Sequence, residues 1–274
     1  MSVDVQFREV IIKILAEGTY LTTRNSDVLR SRNQMITFDK TPLISMRRTA
    51  WKNALREFEW FLSGSNNIND LHPKVRHWWA PWANDAGFIH NNYSKQFRTF
   101  EGSGHIGGSK YHHSVDQVKY LMDTITNDPF SRRAVITTWH THDMISPVTP
   151  ITNCHGTAIQ LFVEDDGSLH LTMYQRSGDM ILGVPHNFIQ YWAFLMYLAR
   201  QCGKTVGTLT WIGGDCHIYK DHIDMARKMI KLDMKQIDDI SLVYQPTSTE
   251  FKADDFSLDS EYKPLIKENL VMTV

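Results

Sequence analysis

The chain has 274 residues, of which 42% are hydrophobic and 22% are charged. This composition is typical of a globular protein, so the disordered, collagen-like and coiled-coil classes are excluded, and the length suits one domain over residues 1–274. With 29 basic and 30 acidic residues the net charge is -1, which argues against a broad nucleic-acid-binding surface but allows a local basic pocket.

Cysteine usage and apolar runs predict a cytoplasmic protein without a membrane anchor. The three cysteines, Cys154, Cys202 and Cys216, are odd in number and widely spaced, so no disulfide framework is expected. The first ten residues include acidic side chains and lack the apolar run of a secretory signal. The longest apolar stretch, residues 188–199, contains Gln190 and is too short to span a bilayer.

Apolar side chains recur at helical spacing in five parts of the chain. The run at 188–199 is apolar on all sides, which predicts a buried helix, whereas the others are amphipathic. Gly18 ends the first helix and the turn at 127–129 ends the third. The predicted helical segments are 10–15, 51–62, 115–125, 188–199 and 219–230.

Alternating or short apolar runs predict strands between these helices. The turn at 165–167 joins two of them into a hairpin, and Gly213-Gly214 follows the last. Because helices and strands do not alternate strictly, an α+β fold is favoured over a doubly wound sheet. The predicted strands are 134–139, 159–163, 169–173 and 206–212.

One glycine pattern, G-x-G-x-x-G at 102–107, superficially resembles a dinucleotide-binding fingerprint. That fingerprint needs a buried strand before it and a helix directly after it, whereas both flanks here are polar. A mobile surface loop at 101–114 is therefore the preferred interpretation. The histidine pair at 112–113 and the D-C-H triplet at 215–217 lack partner pairs at zinc spacing, so no metal site is predicted.

Glu57 lies on the flank of the apolar stripe at 51–62. A carboxylate there is either an edge residue that reaches solvent or a buried functional acid, and spacing alone favours the edge residue. The tryptophans that follow, Trp78, Trp79 and Trp82, are either core residues or a flat slot for a planar ring.

Two Arg–Ser combinations are candidate phosphate-binding groups. Ser131-Arg132-Arg133 precedes the strand at 134–139, and Arg176-Ser177 follows the hairpin. Guanidinium forks and hydroxyl donors suit a phosphate dianion, although an arginine at a strand end is commonly only solvated.

Cys154 and Asn187 are candidates for covalent chemistry and for base recognition. Cys154 could supply a thiolate nucleophile that a nearby arginine stabilises, or it could be an inert core cysteine. Asn187 could cap the buried helix. Alternatively, its amide, with a donor and an acceptor, could pair with the carbonyl and the neighbouring N–H of a uracil.

Several runs that contain these residues resemble the thymidylate synthase family over residues 20–267. They are specific in sequence and in order. They are Glu57 with Trp60-Phe61-Leu62, Trp79-x-x-Trp82, Tyr93-x-Lys95-Gln96, Asp128-Pro129, Ser131-Arg132-Arg133, residues 174–179, residues 182–185 with Asn187, and residues 213–219.

The resemblance implies an α+β, thymidylate synthase-like fold with a large twisted mixed sheet that is flanked by helices and has one face at a homodimer interface. It implies transfer of a one-carbon unit from 5,10-methylenetetrahydrofolate to carbon-5 of dUMP. A thiolate adds to carbon-6 of the pyrimidine, which makes carbon-5 a nucleophile. The expected partners are dUMP, the folate and a second copy of the chain, with no nucleic acid, membrane or metal.

The resemblance also implies a role for each candidate side chain. The catalytic set is the nucleophile Cys154 with Arg176, Asn187 as the base reader, and Glu57 and Tyr93 for proton transfer. The nucleotide-binding set is Arg24, Arg176, Ser177, Asp179, Asn187, His217 and Tyr219, with Arg132 and Arg133 donated by the partner subunit. The folate-binding set is Trp79, Trp82, Asp179, Leu182, Gly183 and His186.

Departures from the family pattern lie around the expected folate site. Asn153 stands where the family has proline, His186 where it has phenylalanine and Ala50 where it has histidine. One extra residue also lies between Cys154 and Gln160. The residues that would bind the phosphate and the base match the family pattern. The departures therefore bear on which product forms more than on which nucleotide binds.

Two products are therefore open. Hydride transfer would give thymidylate, and water would give a hydroxymethyl nucleotide. Asn187 favours dUMP, since the dCMP-using relatives carry aspartate there. Ile266-Lys267 and residues 271–274 resemble the synthase tail that closes over the ligands and excludes water, which favours thymidylate synthesis. His186 could orient water and favours the dUMP hydroxymethylase alternative. An inactive binding protein is disfavoured, because Cys154 and the other reactive groups are all present.

Overall fold

The computed structural model describes residues 2–23, 26–90, 92–144 and 153–271. The α-helices of this part of the chain are α1 (Val3–Glu17), α2 (Trp51–Ser63), α3 (Pro73–Trp79), α4 (Tyr93–Arg98), α5 (Gln117–Asn127), α6 (Gly183–Gln201) and α7 (Ile223–Met229). The strands are β1 (Thr19–Thr22), β2 (Asp27–Phe38), β3 (Phe100–Ile106), β4 (Ser109–Val115), β5 (Val135–Ile136), β6 (Ala158–Val163), β7 (Ser168–Asp179), β8 (Thr205–Tyr219), β9 (Leu242–Tyr244) and β10 (Phe256–Leu258).

Six strands form one mixed sheet in the order β1-β2-β8-β7-β6-β5. Strands β7 and β8 run parallel at its centre, and their other neighbours are antiparallel. Helix α6 forms the crossover between the two parallel strands, as a parallel connection requires. The predicted α+β class and the predicted 159–173 hairpin are confirmed.

Helix α6 is buried because aromatic rings cover it from several elements. Phe188 packs edge-to-face on Phe38 of β2 and on Trp211 of β8, with ring centroids 4.8 and 5.3 Å apart. On another side, Phe58 of α2 contacts Phe194 at 5.4 Å. Such pairs add to the burial of apolar area. The predicted buried helix is confirmed and extends five residues further toward its N-terminus.

One prediction about a glycine-containing segment was wrong, and a second gave a strand that is too short. The segment at 101–114 is not an irregular loop, because β3 and β4 pair from Phe100–Val115 to Ile106–Ser109 as an exposed hairpin. The strand predicted at 206–212 continues through Gly213 to Tyr219. A Cβ at Gly213 would collide with the Trp211 ring and the Cys216 sulfur, so glycine is what lets the strand run on.

No α-helix in the described residues combines the length and the apolar character that crossing a membrane requires.

Candidate active site

The sheet register and the start of α6 bring the candidate residues together. Ser177 pairs with Asp215, and Asp179 pairs with His217, across the parallel strands β7 and β8. The backbone N–H of Ser177 also donates to the Cys154 carbonyl at 3.3 Å. The carboxyl end of β7 therefore lies beside the loop at 153–157, which we name the cysteine loop. The same end of β7 leads directly into α6, at a place where α/β proteins commonly bind ligands.

The Cys154 thiol lies beside a cation. Nη2 of Arg176 is 3.5 Å from Cys154 Sγ, and Nε of Arg176 contacts the carbonyl of Asn153, also at 3.5 Å. The guanidinium stacks over the Trp139 ring at 5.3 Å, which fixes its plane. Burial raises the pKa of the Cys154 thiol, while Arg176 lowers it. The arginine is thus the group that favours the reactive thiolate.

Tyr93 and His155 hold the backbone of the cysteine loop. The Tyr93 hydroxyl oxygen accepts the N–H of Cys154 at 2.7 Å and that of His155 at 3.3 Å. The Tyr93 and His155 rings stack at 4.1 Å. Burial lowers the pKa of His155 to about 3, and burial raises that of Tyr93 well above its usual range. Both side chains are therefore neutral in the resting protein.

Gly156 completes this loop with a φ of +61°, a left-handed conformation that favours glycine. A Cβ at this position would also collide with the Tyr191 hydroxyl, which bonds His155 Nδ1 at 2.9 Å. The conformation of the loop and its packing both require a residue without a side chain here.

The carboxyl group of Glu57 is enclosed, so the edge interpretation was wrong. Although the residue as a whole is half-buried, Oε1 accepts from Trp79 Nε1 at 2.6 Å and Oε2 accepts from Gln190 Nε2 at 2.8 Å. Burial raises the pKa of Glu57 to about 7, against the lowering effect of the two hydrogen bonds. A carboxyl group that titrates near neutrality suits proton transfer.

We expect the pH profile of kcat/KM to contain an ionisation near pH 7 from Glu57. The Glu57→Gln variant should lack this ionisation, since an amide does not titrate, and its kcat should fall by about 10²–10⁴-fold. The matched control is Glu59→Gln on the same helix, whose carboxylate accepts from the Ala253 N–H instead. An unchanged profile in Glu57→Gln would assign the ionisation to another group.

Asn187 lies within the first turns of α6 rather than at its cap. The helix starts at Gly183 with Leu182 as the N-cap, so the capping interpretation was wrong. The Asn187 amide is instead buried in a side-chain network. Its Oδ1 accepts from Gln175 Nε2 at 2.9 Å, and its Nδ2 donates to Gln190 Oε1 at 3.1 Å.

His217 and Tyr219 lie together at the end of β8. Their rings meet edge-to-face at 5.0 Å, and His217 Nδ1 donates to Asp215 Oδ1 at 2.9 Å. Arg30 of β2 holds the other oxygen of Asp215 at 3.3 Å. The bond to the carboxylate fixes the imidazole orientation and leaves Nε2 for another partner.

The predicted phosphate arginines are not all in one place. Arg176 and Ser177 lie at the site, while Arg24 is outside the described residues. Arg132 and Arg133 are exposed on the loop that leads to β5, at the opposite edge of the sheet from β1. That they act on a second copy of the chain stays a prediction.

Two pairs of aromatic rings lie near the start of α6. Trp79 and Trp82 meet at 6.0 Å, and Trp78 lies tilted against the His186 ring at 5.4 Å. His186 Nε2 accepts the Ala50 N–H at 3.2 Å. Burial, with a smaller effect of Arg47, lowers the pKa of His186 to about 4, so the imidazole is neutral.

Asp179 orders the turn between β7 and α6. Its Oδ1 accepts the N–H groups of Ile181 and Leu182 at 3.0 and 3.3 Å. Buried Arg47 donates to the Ile181 carbonyl at 3.1 Å. The turn therefore has a fixed shape as it enters α6 at Gly183.

Sequence reasoning missed the roles of Gln175, Gln190, Trp139 and Arg47. A polar residue inside the otherwise apolar run 188–199 was the available signal for Gln190. In the described part of the chain, no group of three or more histidine, cysteine or acidic side chains could hold a metal ion.

The chain is similar to one enzyme family in sequence and in structure. The family model described as "Thymidylate synthase" matches residues 5–274. A thymidylate synthase of Corynebacterium aurimucosum is 28% identical over 260 residues, which cover 93% of each chain. The solved thermostable thymidylate synthase A from Bacillus subtilis superimposes with a TM-score of 0.85 at 28% identity, covering 100% of this chain and 99% of that one. The predicted resemblance is confirmed, and so is the α+β fold with a large mixed sheet flanked by helices.

Proposed function

The chain belongs to the thymidylate synthase family, and we propose that it methylates dUMP reductively to dTMP through a covalent Cys154 adduct. The family uses 5,10-methylenetetrahydrofolate as its one-carbon donor. The observation that carries the proposal is the Cys154 thiol 3.5 Å from the Arg176 guanidinium, on a loop bonded to the strand that leads to Asn187. A thiolate, a cation and a base-reading amide are what addition to a uracil nucleotide needs.

The Cys154 thiolate adds to carbon-6 of the uracil in our proposal, and negative charge then develops on the carbonyl oxygen at carbon-4. Asn187 would donate one N–H to that oxygen, while Glu57 exchanges a proton with it through the network around the carboxyl group. Preorganised donors of this kind stabilise developing charge most effectively. Tyr93 is our candidate for the group that relays the proton away from carbon-5: its neutral hydroxyl oxygen would take that proton while its own O–H proton passes to solvent. Arg176 would shift from the thiolate to the phosphate as the thiolate is consumed.

The residues beside α6 suit the folate. In our proposal the flat ring system of the folate would stack on Trp79 or Trp82, with Leu182, Gly183 and Asp179 as further contacts. A cavity of about 380 Å³ next to Ala50 is lined by Arg48, Lys52, Tyr262 and Lys267 among others, and its cations suit the carboxylate tail of a folate. When bound, the folate supplies the one-carbon unit and, for the methyl product, the hydride.

His186 supports a second candidate, a dUMP hydroxymethylase. Its neutral ring accepts the Ala50 N–H at Nε2, so Nδ1 carries a proton that can be donated. A donor at this position could hold a water molecule where the family pattern has an apolar ring. Water would then replace hydride in the last step.

Product analysis separates the two candidates. The protein would be incubated with dUMP and 5,10-methylenetetrahydrofolate, and the nucleotide identified by mass spectrometry while dihydrofolate is followed by absorbance. We expect dTMP and an equal amount of dihydrofolate. A 5-hydroxymethyl nucleotide without dihydrofolate would contradict the proposal and favour the alternative. If no covalent adduct formed with 5-fluoro-dUMP and the folate, both candidate functions would be ruled out.

We also propose a homodimer that forms through the exposed face of the sheet. Met35, Ile212, Tyr174 and Ala158 lie in one row across β2, β8, β7 and β6. Met35 is 66% exposed and Tyr174 is 37% exposed. Exposed apolar side chains that continue across neighbouring strands are typical of an interface.

Mixing two inactive variants tests whether sites are shared. In a heterodimer of Cys154→Ser with the double variant Arg132→Ala/Arg133→Ala, one of the two sites receives both an intact thiol and intact arginines. Random exchange of subunits in an equimolar mixture makes half of the dimers heterodimers. The mixture should therefore regain about a quarter of the wild-type activity. Light scattering should give twice the 31.8 kDa chain mass. No recovery of activity in a mixture that does exchange subunits would place both arginines outside the site.

We further propose that residues 1–274 form one cytoplasmic domain. Apart from Val28, the buried apolar side chains of the described residues belong to one continuous cluster, from Val3 to Phe256. The thiols of Cys154, Cys202 and Cys216 are free, which suits a reducing compartment.

A further inference from the structure

Five side chains, four of them buried, form a continuous hydrogen-bonded relay from β8 to α2. Trp211 Nε1 donates to Gln175 Oε1 at 2.9 Å, and Gln175 Nε2 donates to Asn187 Oδ1, also at 2.9 Å. Asn187 Nδ2 donates to Gln190 Oε1 at 3.1 Å, and Gln190 Nε2 donates to Glu57 Oε2 at 2.8 Å. We name this set the amide relay. Gln190 within it is fully buried.

Groups with only one hydrogen-bonding role fix both ends of the amide relay. An indole N–H can only donate, so Trp211 requires the carbonyl oxygen of Gln175 to face it. At the other end, Gln190 Nε2 also donates to the Ala54 carbonyl at 3.0 Å. A backbone carbonyl can only accept, so the Gln190 amide keeps this orientation whether Glu57 is ionised or protonated. Gln190 therefore always presents its oxygen to Asn187.

This polarity leaves Asn187 with one orientation. Its Nδ2 must face Gln190 and its Oδ1 must face Gln175. A rotated Asn187 amide would set oxygen against oxygen on one side and nitrogen against nitrogen on the other. Leaving buried polar groups unpaired in this way is costly.

A uracil and a cytosine demand opposite orientations of this amide. Uracil presents an acceptor at carbon-4 and a donor at N3, which match the remaining N–H and lone pair of Asn187 as it stands. Cytosine presents a donor at carbon-4 and an acceptor at N3, so it would need the rotated amide. Whatever holds the amide therefore also selects the base.

We propose that Gln190 is a specificity-determining positioning residue, which holds the Asn187 amide in the uracil-reading orientation by linking it to the Ala54 carbonyl and to Glu57. This inference deepens the proposed function and rests on it. Gln190 acts through Asn187, and the property that it controls is the preference for dUMP over dCMP.

The test measures the Kd of dUMP and of dCMP by isothermal titration calorimetry for the wild type and Gln190→Leu. We expect the dUMP preference to fall at least about tenfold in the variant, because only Gln175 then opposes rotation. Asn187→Asp is the positive comparison and should also shift the preference toward dCMP. The control is Gln117→Leu, which removes another buried glutamine, one whose Nε2 donates to the carbonyls of Gln96 and Thr137. Its base preference should be that of the wild type.

Gln190→Met provides a second variant should Gln190→Leu fail to fold. It keeps an unbranched side chain but removes both the donor and the acceptor that fix the Asn187 amide, so we expect the same loss of preference. An undiminished dUMP preference in a folded Gln190→Leu or Gln190→Met protein would overturn the inference while leaving the proposed function intact. A wild type that does not bind dUMP would instead remove the proposed function and the inference with it.

Discussion

Cys154→Ser is expected to lower kcat for dUMP by about four orders of magnitude or more, because a hydroxyl in this site is a far weaker nucleophile than a thiolate. The Kd of dUMP should change little. The phosphate and base contacts that we assign to Arg176, Ser177 and Asn187 do not involve the sulfur. Turnover is measured as dTMP formed, and binding by calorimetry.

The matched control is Cys202→Ser. The Cys202 thiol is half-buried and contacts the Met122 carbonyl at 3.8 Å, outside the candidate active site. This variant should keep wild-type turnover. Mass spectrometry after incubation with 5-fluoro-dUMP and the folate should find the adduct on the peptide that contains Cys154. Retained turnover in Cys154→Ser, or an adduct on another residue, would remove Cys154 from its role.

Arg176→Ala is expected to lower kcat/KM by about a thousandfold, since one guanidinium serves both the thiolate and the phosphate in our proposal. The effect of Arg176 on the pKa of the Cys154 thiol has a definite sign. Burial raises the pKa of Cys154 and Arg176 lowers it, so removing the arginine raises the pKa further and reduces the thiolate fraction at neutral pH.

Alkylation separates the thiol effect from loss of phosphate binding. Iodoacetamide modification is followed on the Cys154 peptide as a function of pH. The pH at which the modification rate rises should be higher in Arg176→Ala than in the wild type. Arg176→Lys keeps the charge but loses the planar fork, so its alkylation profile should stay nearer to that of the wild type while dUMP binding still weakens. An identical alkylation profile in wild type and Arg176→Ala would show that the guanidinium does not set the reactivity of the thiol.

The candidate reactive groups could be chosen from residue types and their order along the chain. Cys154, the Arg176-Ser177 pair and Asn187 each offer a functional group whose chemistry is set by its own atoms. The amphipathic stripes and the 165–167 turn likewise predicted helices and a hairpin that the structure contains, because periodicity and turn chemistry act over a few residues.

Only the tertiary structure decided how these groups are held and what some of them do. Glu57 lies on the flank of its helix and would be an edge residue if α2 were alone. Its carboxyl group is enclosed because Trp79 and Gln190, 22 and 133 positions away, close over it. The orientation of the Asn187 amide depends in the same way on Trp211 and the Ala54 carbonyl. Burial, pKa and amide orientation arise from contacts between distant segments, and local spacing carries no information about those contacts.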